Sequence, residues 1–151
     1  MFSKRYLKNL AMPLFILTIL SIGVSTAAGQ DPADIWKDSA TGLIWAVKDN
    51  GSDVSWDQAR NYCTQLSLGG YSDWSLPTID ELSAIFDKSV SKRYKAKGSI
   101  ELEAAGIWSE TTNNSGDAWS LNFSYGGKSI SPTRGGCGTA GRALCVQRSG
   151  K

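Results

Sequence analysis

The chain has 151 residues, of which 41% are hydrophobic and 20% are charged, a composition typical of a single globular domain. It contains no histidine, which excludes a Ser-His-Asp triad, a Cys-His pair and a His-ligated metal. The formal net charge of +2 is too small to indicate a nucleic-acid-binding protein.

The first segment has the layout of a secretory signal peptide. Lys4, Arg5 and Lys8 form a basic start, residues 11–24 are mostly apolar, and residues 25–29 are mostly small. This order of basic, apolar and small residues is that of an export signal. The apolar run is shorter than the ~20 residues that a membrane-spanning helix needs.

We therefore predict that residues 1–28 are a signal peptide and that residues 29–151 form one exported domain. The expected location is the periplasm or the cell exterior, with no membrane contact after the signal is removed. Without the signal, the domain has 13 basic and 14 acidic residues, so its charges nearly cancel. A general attraction to nucleic acid is therefore not expected.

Two short apolar runs around a turn open the predicted domain. They are residues 35–38 (IWKD) and 43–47 (LIWAV), and they predict a β-hairpin. Asp49, Gly51 and Asp53 then alternate like the start of a calcium loop. Arg60 stands where an EF-hand needs its last acidic ligand, so we predict a turn and no metal site.

Two helices are predicted next, each opened by a capping box. Ser55 is followed three residues later by Gln58, and apolar residues at helical spacing continue to residue 66. Thr78 and Glu81 repeat the pattern before a shorter helix that ends near residue 86. The first helix places Cys63 on its apolar face.

Short strands make up the rest of the domain. Residues 107–110, 119–123, 128–131 and 143–147 read as strands, and the alternation in 119–123 is that of a half-buried strand. Helices followed by strands predict an α+β fold with an antiparallel sheet. We expect the last strand to return beside the first.

Several segments together resemble the bacterial Lcl C-terminal-domain-like family, and the resemblance runs from about residue 38 to residue 148. They are residues 41–45 (TGLIW), 54–56 (VSW), 68–78 (LGGYSDWSLPT), 108–109 (WS), 118–120 (AWS) and 142–146 (RALCV). The resemblance implies a C-type-lectin-like fold in an exported, adhesin-like binding module. In the family's best-known member this domain binds sulfated polysaccharides. The Glu-Pro-Asn and Trp-Asn-Asp motifs of calcium-dependent lectins are absent, so no lectin-type calcium site is expected.

The three cysteines leave one sulfur over in any intramolecular pairing. Cys63–Cys145 and Cys63–Cys137 would close loops of similar length, so loop entropy does not choose between them. The resemblance implies a bridge from the first helix to the last strand, which is Cys63–Cys145. Cys137 would then be a free thiol or would form an intermolecular bridge.

The aromatic side chains have two expected roles. Five tryptophans lie in apolar patterns and are expected to pack in the core: Trp45, Trp56, Trp74, Trp108 and Trp119. An exposed ring can instead stack on a sugar, because its face is flat and apolar. Tyr125 is the candidate for that role.

The densest charge feature follows the second helix. It comprises Lys88, Lys92, Arg93, Lys95 and Lys97. One interpretation is a solvated loop that keeps the protein soluble. The other is a binding patch for sulfated or acidic polysaccharide, which Arg134, Arg142 and Arg148 could extend.

These observations favour an exported, non-catalytic module that binds an extracellular or envelope glycan through loops between residues 88 and 136. The alternative is an envelope assembly protein that binds a protein partner. The sequence offers no nucleophile–base pair and implies no cofactor, so catalysis is not expected. It does not define the oligomeric state.

Overall fold

The computed structural model describes residues 34–133 and 141–148, which form two helices and two antiparallel sheets. The strands are β1 (Ile35–Lys37), β2 (Ile44–Ala46), β3 (Trp74–Ser75), β4 (Gly106–Thr112), β5 (Ala118–Asn122), β6 (Gly127–Ser131) and β7 (Val146–Gln147). The helices are α1 (Trp56–Gln65) and α2 (Ile79–Ile85). The α+β prediction is confirmed. The predicted signal peptide, Arg134 and Cys137 lie outside the described residues.

The first sheet has the strand order β1-β2-β7-β3. The predicted hairpin is confirmed, with Trp36 opposite Trp45. The last strand was expected to return beside β1. It lies instead between β2 and β3. β3 was expected to be part of a loop, because a two-residue strand among glycines and aromatic residues carries no alternation to detect.

Both helices begin as their capping boxes predict. The Ser55 hydroxyl accepts the Gln58 backbone N–H, and the Gln58 side chain accepts the Ser55 N–H at 2.9 Å. Thr78 and Glu81 make the same reciprocal pair. Such a cap is worth about 1 kcal/mol. Neither described helix has the length and apolar character needed to cross a membrane.

Each helix ends one residue earlier than predicted. The chain becomes extended at Leu66 after α1 and at Phe86 after α2. Both side chains still pack against a core cluster. Their apolar character therefore continued the helical pattern in the sequence although the backbone had already left the helix.

The second sheet has the strand order β4-β5-β6. Ile107 of β4 lies opposite Leu121 of β5, and both belong to a buried cluster with Trp45, Leu82 and Leu144. Ser120 and Asn122 alternate with these apolar residues, as the sequence pattern predicted. One face of this sheet is therefore part of this cluster. The other face carries Ser120 and Asn122 and also the buried Trp108, which lies opposite Ser120.

A disulfide joins Cys63 of α1 to Cys145, with a Cα–Cα distance of 5.4 Å. The implied pairing is confirmed. Cys145 lies directly before β7 rather than within a strand. Both cysteines are buried in a second core cluster with Trp74 and Trp108. The bridge therefore fixes the first helix against the segment that leads into the last strand.

The tryptophans pack as predicted. Trp45, Trp74 and Trp108 are buried, whereas Trp56 and Trp119 are partly buried and pack against the two clusters. Trp56, Trp74 and Trp108 each donate the indole N–H to a backbone carbonyl. These side chains are consequently part of the scaffold and not of an exposed ligand platform.

Candidate functional site

The structure brings the basic segment and Tyr125 to the same end of the molecule. We call residues 87–97 the basic loop and residues 123–126, which join β5 to β6, the hairpin turn. The Lys95 backbone N–H donates to the Phe123 carbonyl at 2.8 Å. Phe86, directly before the basic loop, packs edge-to-face on Phe123 with 6.2 Å between the ring centroids. The two segments therefore form one surface, which we call the basic surface.

The basic loop is held by backbone hydrogen bonds at both ends. The Asp87 N–H donates to the Lys95 carbonyl at 2.8 Å, and the Lys97 N–H donates to the Ile85 carbonyl at 2.9 Å. Ala96 between them is fully buried. The expected solvated loop is thus ordered, and its charged side chains project from a fixed backbone.

Three lysines of this loop donate to backbone carbonyls. Lys92 Nζ lies 2.9 Å from the carbonyl oxygens of Gly98 and Ile100. Lys95 Nζ donates to Val90 at 3.2 Å and Lys97 Nζ to Ala84 at 2.7 Å. An ammonium has three N–H donors, so each of the three keeps at least one for a ligand.

The charges of the basic loop remain largely uncompensated. Among the described residues, no carboxylate lies at ion-pair distance from the loop's lysines or arginine. Asp87 is the one acidic residue of the loop. Hydrogen bonds from the Ser89 hydroxyl and N–H lower the pKa of its carboxyl, to which the Lys97 charge adds. Arg93 is exposed, and its guanidinium lies 5.4 Å from the centroid of the Tyr94 ring.

Tyr125 is the most exposed aromatic side chain in the described part of the chain, at 69%. Its ring lies directly over Gly127, where an added Cβ would come within 2.1 Å of a ring carbon. Gly126 has a φ of +82° and meets the Phe86 ring in the same way. These two glycines allow the hairpin turn to pack closely against Phe86, and the exposed Tyr125 ring is carried on this turn.

Arg142 does not extend the basic surface, because it is paired within a cluster of carboxylates. Its Nη1 lies 3.1 Å from both Asp49 and Glu103, and its Nε lies 3.3 Å from Asp53. Burial would lower the pKa of Arg142, but the hydrogen bonds that it donates to these carboxylates raise it. The Gly51 N–H donates to the Asp49 carboxylate at 2.9 Å, which confirms the predicted turn.

Arg148 is likewise used within the fold. It contacts Glu81 at 2.7 Å and Glu110 at 3.1 Å, and it donates to the Ser75 hydroxyl. Burial alone would raise the pKa of Glu81, but hydrogen bonds from Arg148 and from Thr78 hold it below its usual value. The sequence could not reveal this pairing, because the partners are 38 or more residues apart.

A groove of about 270 Å³ on the second sheet escaped the sequence reasoning. Its polar lining comes from β5 and β6: Ser120, Asn122, Ser129 and Ser131. The pairing of Ser120 with Ser129 places hydroxyls side by side. Asn122 directly precedes the hairpin turn, so the groove begins next to the basic surface. The available signal was the polar phase of the alternation in β5.

No group of His, Cys, Asp and Glu side chains within residues 34–133 and 141–148 has the arrangement needed to hold a metal ion. The carboxylates of Asp49, Asp53 and Glu103 converge on Arg142, whose guanidinium supplies the positive charge there.

The sequence model of the Lcl C-terminal domain family matches residues 34–146, and the chain therefore belongs to this family. The matched range contains both helices, the disulfide and the basic surface. No curated protein shows a significant match to the chain.

Proposed function

We propose that the chain is an exported, non-catalytic binding module with a C-type-lectin-like fold, and that its basic surface binds an anionic glycan. One observation carries the proposal. Tyr125 is exposed on a turn that is hydrogen-bonded to the basic loop, and the lysines and arginine of that loop have no carboxylate at ion-pair distance among the described residues. Positive charge matches the sulfate or carboxylate of an acidic sugar, and a flat apolar face matches its ring.

Each part of the basic surface matches a part of such a ligand. Sulfate and carboxylate groups would accept hydrogen bonds from Lys92, Lys95 and Arg93, which are charge-assisted and therefore stronger than neutral ones. The Tyr125 ring would pack against the apolar face of a sugar. The hydroxyls and the amide of the neighbouring groove would bind the hydroxyls of the next unit along the chain.

The fold proposal rests on the order and linkage of the elements. Two helices precede most of the short strands, and a disulfide ties the first helix to the segment before the last strand. This is the linkage that the resemblance implies for C-type-lectin-like domains. The family membership supports an anionic glycan, because the resemblance includes a member that binds sulfated polysaccharide.

A titration of the mature domain with heparin-like chains, repeated at increasing salt concentrations, tests this function. Lys88 and Arg93 are exposed, and neither is one of the three side chains of the loop that donate to backbone carbonyls. K88Q/R93Q therefore removes charge without loosening the loop. At about 0.5–1 kcal/mol for each exposed charge, we expect affinity to fall about 5–30-fold. K37Q/K48Q removes two exposed lysines elsewhere and should bind as the native domain does.

Two results would contradict the proposal. One is heparin binding that does not change between low and high salt, since exposed charges are screened by salt. The other is an equal loss of affinity in K88Q/R93Q and K37Q/K48Q. Tyr125→Ser should also weaken binding, whereas Tyr62→Ser, which alters another exposed tyrosine, should not.

A second candidate is an envelope assembly protein that binds a protein partner. Ile130 favours it, because this large apolar side chain is 44% exposed on β6, the outer strand of its sheet. A glycan array and a pull-down from envelope extract, performed on the same mature domain, separate the two functions. Protein capture that Ile130→Asp abolishes, without glycan binding, would favour the partner.

Export is proposed together with binding. The signal is expected to be cleaved after residue 27 or 28, and the mature protein to be found in the periplasm or outside the cell. N-terminal sequencing of the protein recovered from the periplasm and from the medium tests both points. A chain recovered only from the cytoplasm with residue 1 in place would contradict export.

A further inference from the structure

The Trp36 ring lies against the end of the basic loop. Trp36 belongs to β1, and Gly98 directly follows the basic loop. A Cβ added at Gly98 would come within 2.1 Å of the Trp36 ring and 2.4 Å of its Nε1. Gly98 also has a φ of +61°, a backbone conformation that favours glycine. The missing side chain therefore lets the indole lie directly beside the backbone that follows the charged segment.

The Trp36 indole N–H is left unused by the fold. Three other tryptophans donate the indole N–H to a backbone carbonyl, whereas the Trp36 Nε1 has no hydrogen-bond partner in the described part of the chain. Within residues 34–133 and 141–148, the Trp45 Nε1 is the one buried side-chain nitrogen or oxygen that lacks a partner. The unpaired Trp36 nitrogen is therefore not buried, and its N–H is free to donate to a ligand.

Lys92 reaches the same glycine from the basic loop. Its Nζ lies 2.9 Å from the carbonyl oxygen of Gly98 and 2.9 Å from that of Ile100. An ammonium has three N–H donors, so one is left over. No carboxylate among the described residues lies at ion-pair distance from this ammonium. Two donors that the fold does not use, one neutral and one charged, are thus brought to a single residue, Gly98.

We propose that the Trp36 N–H and the Lys92 ammonium form a donor pair that binds the oxyanion group of an acidic sugar, either a sulfate ester or a carboxylate. Such a group has several oxygens, so one accepts a hydrogen bond from Lys92 and another accepts one from Trp36. The bond from the ammonium is charge-assisted and is therefore the stronger of the two. The indole, held against Gly98, fixes where the group is bound.

This inference rests on the proposed function and adds to it a neutral side chain that orients the ligand. Trp36 lies outside residues 88–136, where the sequence placed the ligand contacts. The sequence gave no sign of this role, because Trp36 and Gly98 are adjacent only in the folded chain. The basic surface would then bind its ligand through position as well as through charge.

The test uses the indole N–H signals of the mature domain labelled with ¹⁵N-tryptophan, assigned sequentially. A heparin-derived tetrasaccharide supplies sulfate esters as well as carboxylates, and a hyaluronan tetrasaccharide supplies carboxylates alone. We expect the Trp36 signal to shift saturably with at least one of them. A shift with heparin alone identifies the bound group as a sulfate ester, and a shift with both shows that a carboxylate suffices. The Trp119 signal should stay in place, because Trp119 lies at the end of β5 away from the hairpin turn.

Trp36→Phe removes the N–H and keeps an aromatic ring against Gly98. We expect this variant to bind the tetrasaccharide about 2- to 10-fold more weakly, which is the effect of losing one hydrogen bond. The factor should be the same at low and moderate salt, because a neutral donor is not screened, whereas the loss in K88Q/R93Q should shrink as salt rises. Trp119→Phe is the matched control and should bind as the native domain does.

The donor pair and the proposed function fail in different ways. Tetrasaccharide binding that leaves the Trp36 signal in place, or that Trp36→Phe does not weaken, would overturn the donor pair while the proposed function stands. If neither tetrasaccharide binds, the proposed function fails, and inorganic sulfate titrated against the same labelled domain decides on the pair. A saturable shift of the Trp36 signal would then support the pair as an anion site, and a signal that sulfate does not move would overturn it.

Discussion

Removing the Cys63–Cys145 bridge should destabilise the domain more than any single change at its surface. The bridge joins residues that are 82 positions apart. In the chain-entropy description, a closed loop of this length lowers the free energy of the folded state relative to the unfolded one by about 4.5 kcal/mol at 25 °C. A domain of this size is stable by about 5–15 kcal/mol in total, so the loss is about 30% or more of its stability.

The appropriate variant is C63A/C145A, because it leaves no buried thiol behind. Urea unfolding at pH 7, followed by circular dichroism, measures the change. For a urea m-value of about 2 kcal/mol/M, the midpoint should fall by about 2 M. Cys137→Ser is the matched control and should leave the midpoint unchanged, because the bridge does not involve Cys137.

A midpoint that falls by less than about 0.5 M would refute the reasoning, since it corresponds to only about 1 kcal/mol at this m-value. The loop entropy would then not be a major contribution to stability. A variant that is unfolded even without urea agrees with the prediction, because the loss would exceed the total stability of the domain.

Two further predictions concern the ion pair of Arg148 and the close packing of Trp36 on Gly98. Arg148→Met should cost about 1–2 kcal/mol at pH 7, since the pair with Glu81 is partly exposed. Because the pKa of Glu81 is lowered in the fold, this difference should be complete above the ordinary carboxyl pKa and should disappear as the pH falls through the lowered one. Urea midpoints at pH 7 and pH 3 check it, and an equal difference at both would contradict it. Gly98→Ala should cost about 1–3 kcal/mol more than Gly51→Ala, because both have positive φ but only at Gly98 would the new Cβ meet the Trp36 ring, at 2.1 Å. Thermal unfolding of the two variants measures the difference, and equal costs would show that Trp36 moves away freely.

The local features of the fold were readable from the sequence, because they depend on residues close together in the chain. The capping boxes at Ser55 and Thr78 fixed where both helices begin. The alternation in β5 identified Trp119 and Leu121 as facing the core, but it gave no sign that Ala118 on the opposite face is also buried. The place of β7 was predicted wrongly, because strand order depends on contacts between distant segments that leave no periodic signal.

The candidate site was predicted in its residues but not in its geometry. The charge run of the basic loop and Tyr125 stand out in the sequence, yet the bond from Lys95 to Phe123 spans 28 positions. The hydrogen bonds from Lys92 to the carbonyls of Gly98 and Ile100 likewise depend on how the loop folds back on itself. The sequence left open whether Arg142 and Arg148 extend the patch, since the carboxylates that bind them are adjacent only in the folded chain.

The place of β7 has a consequence for when the domain can fold. β7 lies in the interior of its sheet, yet it is made about 100 residues after β1. The first sheet therefore cannot be completed until residues 146–147 have been made, because β2 and β3 each pair with β7 and not with each other.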